Sequence, residues 1–259
     1  MTSILPSLMA VFNSLRSHAT LSLATTAALF GLVIAYRDYR AYVAMGPHGL
    51  PDNFYGWQRQ LMMARRARKD VTAHAPYDES VVAKALGAHA KTSFLSKPLT
   101  PRVGERPRIP GFVAPQRQVT EIATESRKRD MFAYIKSLVE MNDSMLQSEL
   151  SCLEGPVPAL QLKDGVNGPS FLDKTRGEIA HIHPPDGSTH LVLSLADSEE
   201  VIAKGWGQRH RLSGGFLPWT YTLIYAPRTD EEFEVWKDIV IAVARFCCKD
   251  EGDIQAPRL

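Results

Sequence analysis

The stretch that decides the fold is Glu178-Ile179-Ala180-His181-Ile182-His183-Pro184-Pro185-Asp186-Gly187-Ser188-Thr189-His190-Leu191-Val192-Leu193-Ser194-Leu195. Its second half alternates with period two. Thr189, Leu191, Leu193 and Leu195 face one way, and His190, Val192 and Ser194 face the other, the mark of a strand with one apolar face. Pro185-Asp186-Gly187 is a turn signal. If residues 181–183 are extended, His181 and His183 project to the same side. A turn at residue 186 then returns the chain and brings His190 close to both.

Outward from this hairpin the pattern repeats. Trp219 to Tyr225 alternates Trp219, Tyr221, Leu223 and Tyr225 against Thr220, Thr222 and Ile224, and Pro227 ends it. Asp197 with Glu200 reads as a capping box opening a short helix that Gly205 closes. Thr229 with Glu232 reads as a second box. It opens a helix with Phe233, Trp236, Val240, Val243 and Cys247 on one face. Upstream, Gln118–Asn142 reads as a helix through the spacing of Met131, Ile135 and Leu138. Two short strands are expected at Ser148–Leu153 and Val157–Leu162, followed by a polar loop over residues 163–175. The order helix, strands, helix, strand, helix predicts an α+β fold, with helices packed on a mostly antiparallel sheet.

The N-terminal third differs. Ala19–Tyr36 carries no charge and would cover roughly 27 Å as a helix, enough to cross a bilayer core. It ends in Tyr36-Arg37-Asp38-Tyr39-Arg40, an interfacial stop rather than a cleavage site. A cleaved signal and a buried helix are the alternatives. The excess of Arg and Lys after the span places the following domain in the cytosol, with the endoplasmic reticulum as the expected membrane. Trp57–Lys69 is expected to be a basic juxtamembrane helix on anionic lipid. Residues 96–115, with Pro98, Pro101, Pro107, Pro110 and Pro115, form a wrapping loop. The chain divides into a tail (1–18), a transmembrane anchor (19–36), a basic and proline-rich wrapping region (37–115), the α+β domain (116–250) and a tail (251–259).

Composition narrows the function. The formal charge is +2 and no basic stripe or finger spacing is present, so no nucleic-acid partner is expected. Cys152, Cys247 and Cys248 lack the spacing of a disulfide framework and are read as reduced. There is no glycine-rich phosphate loop and no nucleophile elbow.

The histidines carry the chemistry. His181, His183 and His190, with Glu178 nearby, have the ligand types of a zinc or non-haem iron centre. The same rings could perform metal-free acid–base work on a phenol or enol. They could also be ordinary hydrogen-bonded residues of a hairpin. In Lys204-Gly205-Trp206-Gly207-Gln208-Arg209-His210, two glycines flank a tryptophan that could wall a ligand, with Gln208, Arg209 and His210 beside it. In Tyr225-Ala226-Pro227-Arg228 the arginine could hold an anion or cap a helix.

These residues together make Arg176–Arg228 resemble the fungal luciferase family. The motifs are Glu178–His183, Thr189-His190-Leu191, Lys204–His210 and Tyr225–Arg228. Weaker matches follow the anchor at Gly46-Pro47, Asn53-Phe54, Gly56, Gly104, Arg106-Pro107 and Gln116-Arg117-Gln118. The resemblance implies an enzyme that adds dioxygen, as co-substrate, to 3-hydroxyhispidin or a related phenolic, α-pyrone or polyketide, with no metal or organic cofactor. Its path runs through enol deprotonation, a cyclic peroxide and loss of carbon dioxide. His181, His183, His190 and His210 are then assigned as base and donors, and Trp206, Gln208, Arg209, Tyr225 and Arg228 as substrate contacts. One departure stands out. Pro184–Thr189 is shorter than in the mushroom enzymes and lacks a histidine found there, so light emission is not among the expectations. A non-oxidative enzyme or a binding module on the same fold is the alternative.

Overall fold

The computed structural model describes residues 5–257 and forms two compact units, residues 1–46 and 47–259. The first four residues of the expected tail, and the last two of the chain, lie outside the described residues.

The first unit is one helix, α1 (Leu5–Val43). It absorbs most of the expected tail and extends past Tyr36, because nothing between Leu15 and Tyr36 breaks a helix. Ala10–Val43 is long and apolar enough to cross a membrane, with a mean hydropathy of 1.7 in its most apolar window, none of which is buried. Leu21, Leu23, Leu29, Phe30 and Leu32 are all more than half exposed, a surface that water does not favour.

The second unit is the α+β domain. A six-stranded sheet is built from β1 (Leu146–Leu150), β2 (Pro158–Leu162), β3 (Glu178–Ile182), β4 (Thr189–Val192), β5 (Gly207–Arg209) and β6 (Tyr221–Ile224). Their spatial order is β1-β2-β3-β4-β6-β5, and every neighbouring pair is antiparallel. Helices α4 (Glu125–Met141), α5 (Leu195–Ala203) and α6 (Asp230–Cys247) are joined by the short α2 (Phe54–Ala64) and α3 (Glu79–Leu86).

Helix α6 is the centrepiece of one face. Thr229 accepts the backbone N–H of Glu232, as the capping box predicts. Trp236, Ile239, Val240, Val243 and Phe246 are buried, and Trp236 Nε1 donates to Thr189 Oγ1 at 2.9 Å. That bond fixes the Thr189–Leu191 side of β4 toward the helix and turns His190 to the other side.

Several element ends differ from the sequence reading, each because a side chain finds a better partner. Helix α4 begins at Glu125, not Gln118, since Thr124 caps it by accepting from Arg127 N–H. The Gln118 backbone N–H is taken by Asp186. Strand β1 stops at Leu150 because the Ser151 hydroxyl and the Cys152 N–H turn to Glu178. Strand β4 stops at Val192, and Ser194 rather than Asp197 caps α5. Asp197 instead accepts from Ser93 and Phe94, and Glu200 from Leu99 N–H, so both acids tie down the wrapping segment. The polar loop at 163–175 contains a 3-10 turn, Ser170–Thr175, because Phe171 stacks on Phe246 at 4.8 Å.

The expected lipid-bound helix is also corrected. In α2, Trp57 and Gln60 are buried in the domain, and Met63 packs against its core. The fold therefore has no boundary at residue 115. Residues from Pro47 onward wrap the sheet and are part of it.

Candidate active site

Alternation along β3 and β4 sends His181 and His190 to the sheet face opposite α6, where they pair directly across the two strands. His183 follows His181 by two residues, just past the end of β3, and lies on the same face. Glu178 would face away from His181 in a regular strand. The register shifts between Leu160 and Gln161 of β2, leaving Ile179 without a cross-strand partner. This irregularity re-aims Glu178, so that its carboxylate reaches His181 Nδ1 at 2.5 Å. The turn is equally specific. Gly187 has φ +81°, and a Cβ there would stand 2.7 Å from the Ala123 Cβ.

His190 packs edge to face on His181 and His183, which are tilted to each other, with centroids 4.7–5.2 Å apart, and all three rings are buried. His181 Nε2 lies 3.3 Å from both His183 Nε2 and His190 Nδ1. Each ring has a fixed outer partner. His183 Nδ1 meets Ser188 Oγ at 2.8 Å, and Ser188 donates to Asp186 Oδ2. His190 Nε2 meets Gln116 Oε1 at 3.4 Å. One ligand nitrogen from each ring lies within 4.8 Å of the others, so this trio is where a metal ion could be held.

His210 extends the group. Its ring centroid is 4.9 Å from His190 and 5.5 Å from Tyr221, and Tyr221 stacks on His190 at 5.2 Å. Arg117 forms a buried ion pair with Glu154 and donates to Pro47 O at 2.6 Å. Glu154 Oε1 is 3.9 Å from His183 Nε2.

Burial sets the electrostatics. It pushes the His183 and His190 imidazoles far below their ordinary range, and neighbouring rings add to the effect. His210 is lowered to about 3, mainly by burial. Burial raises Asp186 to about 6 despite the hydrogen bond from Ser188. Glu178 goes the other way: burial pushes it up, but the hydrogen bonds from His181, Ser151 and the Cys152 N–H outweigh that and lower it. Tyr221 is raised well above its usual value by burial.

The cluster opens on a cavity of about 270 Å³ lined by His181, His190, His210, Gln116 and Tyr221 on one side. Leu50, Met63, Val113, Phe216 and Leu217 supply an apolar wall, and Cys152, Glu154 and Lys174 add polar groups to the lining. The volume is near the lower end of the ~300–1,000 Å³ usual for small-molecule sites. The wall depends on Gly49, where a Cβ would stand 1.8 Å from Leu153 O, so only glycine lets the 47–50 loop approach this closely. A larger groove of about 540 Å³ lies between α4 and β1–β3. Of the histidines it borders only His181.

The structure thus brings together all four predicted catalytic histidines and separates them from the predicted substrate contacts. Arg209 faces the helical side, fully buried, bonded to Glu199 and Ala73 O and lying 5.3 Å from the Tyr77 ring. Trp206 Nε1 donates to Thr100 O at 2.7 Å and pins the wrapping segment. Gln208 accepts from the Tyr225 hydroxyl at 3.2 Å, beside Arg106. Arg228 binds Glu232, Glu121 and Val103 O, the capping alternative. None of these five lines the histidine cavity. Gln116, Arg117, Ser188, Asp186, Glu154 and Tyr221 were not assigned roles from sequence. Of these, Gln116-Arg117 was visible only as part of a family motif, and Asp186 only as a turn residue.

The family model described as "Luciferase domain" matches residues 176–243, which include all four histidines. A luciferase of Neonothopanus nambi is 28% identical over 267 residues, covering 94% of each chain. A luciferase of Armillaria ostoyae is 31% identical over 231 residues, covering 83% of this chain and 82% of its own. A luciferase of Armillaria gallica is 30% identical, covering 84% and 83%. No solved structure matches the chain.

Proposed function

Since this chain belongs to the fungal luciferase family, we propose that it is an oxygen-using enzyme acting on a small phenolic, α-pyrone or polyketide-type molecule bound against the histidine cluster. The observation that carries this reading is the cavity itself. One wall is a group of buried imidazoles, and the other is apolar. A flat, ionisable molecule fits such a site, with its ring against Phe216, Leu217 and Met63 and its acidic hydroxyl toward His181, His190 and His210.

The chemistry follows from that pose. The hydroxyl loses its proton within the cluster, and the resulting anion concentrates electron density on the neighbouring ring carbon. That carbon donates an electron pair to dioxygen to form the C–O bond. Return of the proton gives a hydroperoxide, so substrate plus O₂ balances the product. The apolar wall keeps bulk water from the anion and the peroxide.

The N-terminal helix serves as a single-pass anchor, with the domain on the cytosolic side. The support is its exposed apolar surface and the arginines that follow it. Protease protection in microsomes tests the side. The reaction is tested in an oxygen electrode with purified full-length protein and a panel of enolic pyrones, including 3-hydroxyhispidin, and phenols. Oxygen uptake that depends on one of them is expected. A folded protein inert to the whole panel, or active after His181, His190 and His210 are all replaced by glutamine, would sink the reading.

A further inference from the structure

We propose that His181, His183 and His190 bind a divalent first-row transition-metal ion through His181 Nε2, His183 Nε2 and His190 Nδ1, with an open position facing the 270 Å³ cavity. The argument begins with where the protons must be. Glu178 Oε2 already accepts from the Ser151 hydroxyl and the Cys152 N–H, so its other oxygen accepts as well, and His181 Nδ1 carries a hydrogen. Asp186 Oδ2 accepts from Gln118 N–H, so the Ser188 hydroxyl donates to it and its oxygen accepts from His183 Nδ1. Gln116 Nε2 donates to Arg209 O, which turns Gln116 Oε1 toward His190 Nε2 as an acceptor. A neutral imidazole has one N–H. The three remaining nitrogens therefore present lone pairs, and all three are aimed inward.

Lone pairs that face one another repel. His181 Nε2 stands 3.3 Å from both His183 Nε2 and His190 Nδ1. One proton on His181 could bridge to one neighbour, not to both. A cation accepts all three. Ligand nitrogens ~2.0–2.1 Å from a tetrahedral ion lie roughly 3.3 Å apart, which is the spacing of His181 Nε2 to each of its two neighbours, and all three nitrogens lie within 4.8 Å of one another.

The outer shell fits too. Metal-bound histidines ordinarily donate their second N–H to a carboxylate, carbonyl or hydroxyl, which fixes the tautomer. Glu178 does this for His181, the Ser188–Asp186 pair for His183, and Gln116 for His190. Two carboxylates behind the rings offset a dipositive charge, and all-imidazole ligation suits zinc, iron, copper or nickel. Ion binding stands on this geometry alone. Its use rests on the proposed reaction: a substrate hydroxyl reaching the open position would be held as its oxyanion, the proton passing to solvent.

The test uses full-length protein stripped with a chelator and titrated with Co(II), whose visible bands report nitrogen ligation. One saturable equivalent is expected, displaced by Zn(II). Zn(II) at about 100 times its Kd should raise the melting temperature by roughly 5–10 °C. His181→Gln, His183→Gln and His190→Gln should each abolish the bands while keeping a native circular dichroism spectrum. If a single variant fails to fold, Glu178→Gln still reports, since it should keep the bands with roughly 10–100-fold weaker binding. The surface variant His89→Gln should bind as the parent does. Absence of bands in the folded parent protein, or bands that survive in all three histidine variants, overturns the site. No Co(II) binding alongside intact oxygen uptake removes the ion and leaves the proposed reaction. Co(II) binding without oxygen uptake on any substrate does the reverse.

Discussion

The two faces of the central sheet use the same strands for opposite ends. On one face, Thr189 and Thr222 bond to Trp236 and Ser198, and Arg209 is locked by Glu199. These side chains are bound to other parts of the fold. On the other face, one residue along in each strand, stand His190, Tyr221 and His210, and their inner edges meet each other and a cavity. Polar burial is costly on both faces and is offset by partners on both. The difference is that the histidine face turns its bonding capacity inward to a shared point, whereas the helical face spends it on structure. Adjacent residues of a motif, Arg209 and His210, therefore have unrelated roles.

Substitutions can break this comparison. The largest effect is expected on the histidine face. His190→Gln should lower oxygen-dependent turnover by at least about 10³-fold, some 4 kcal/mol of transition-state stabilisation, with little change in melting temperature when both proteins are compared after chelation. Steady-state oxygen uptake beside a thermal melt checks both halves. The mirror change, Arg209→Met, leaves Glu199 without its buried partner. It should cost about 3 kcal/mol of stability, a fall of roughly 6–12 °C, while turnover measured well below the transition stays within about threefold.

Acid should weaken the domain. His48 is lowered to about 4 by burial and by Arg117, and His210 to about 3 by burial. A histidine whose folded value is depressed contributes stability above its unfolded value of ~6.5 and loses it as pH falls below that. At pH 5.5 each of the two has lost about 1.4 kcal/mol, and His183 and His190 act in the same sense. Asp186, raised to about 6, opposes them: its contribution is present at low pH and is lost as pH rises through 6, so it returns about 0.8 kcal/mol on acidification. A net loss of at least about 2 kcal/mol, or roughly 4–8 °C, is expected between pH 7.5 and 5.5. A melting series should show it, with a smaller slope in His210→Gln. The smallest effect belongs to the predicted ligand wall. Trp206→Phe loses one hydrogen bond to Thr100 and should cost about 1 kcal/mol, with unchanged KM.

The sequence made the histidine face legible because strand alternation and the Pro185-Asp186-Gly187 turn are local. His181, His183 and His190 need only a hairpin to meet. The capping box at Thr229 was legible for the same reason. What escaped was long-range. Gln116, Arg117 and Glu154 reach the cluster from segments 29 to 74 residues away in the chain, and no periodicity announces them. Glu178 faces His181 only because β3 is irregular at Ile179, and alternation alone would send it elsewhere. Arg209 and Arg228 lie away from the cavity, bonded to Glu199 and Glu232, and a charged residue in a motif looks the same whether it binds substrate or a glutamate of the fold. The role of Met63 was hidden by the basic residues around it, which resemble a lipid-binding helix until Trp57 and Gln60 are seen to be buried.

The central claim is that this cluster takes the proton of an acidic hydroxyl on a bound small molecule and holds the anion. The most direct measurement is the absorption spectrum of an enolic pyrone bound to the full-length protein without oxygen, at a pH where the free enol is protonated. The bound molecule should show the enolate spectrum in the parent protein and the enol spectrum in His190→Gln. A pyrone that binds the folded parent protein and keeps its neutral enol spectrum would contradict the account.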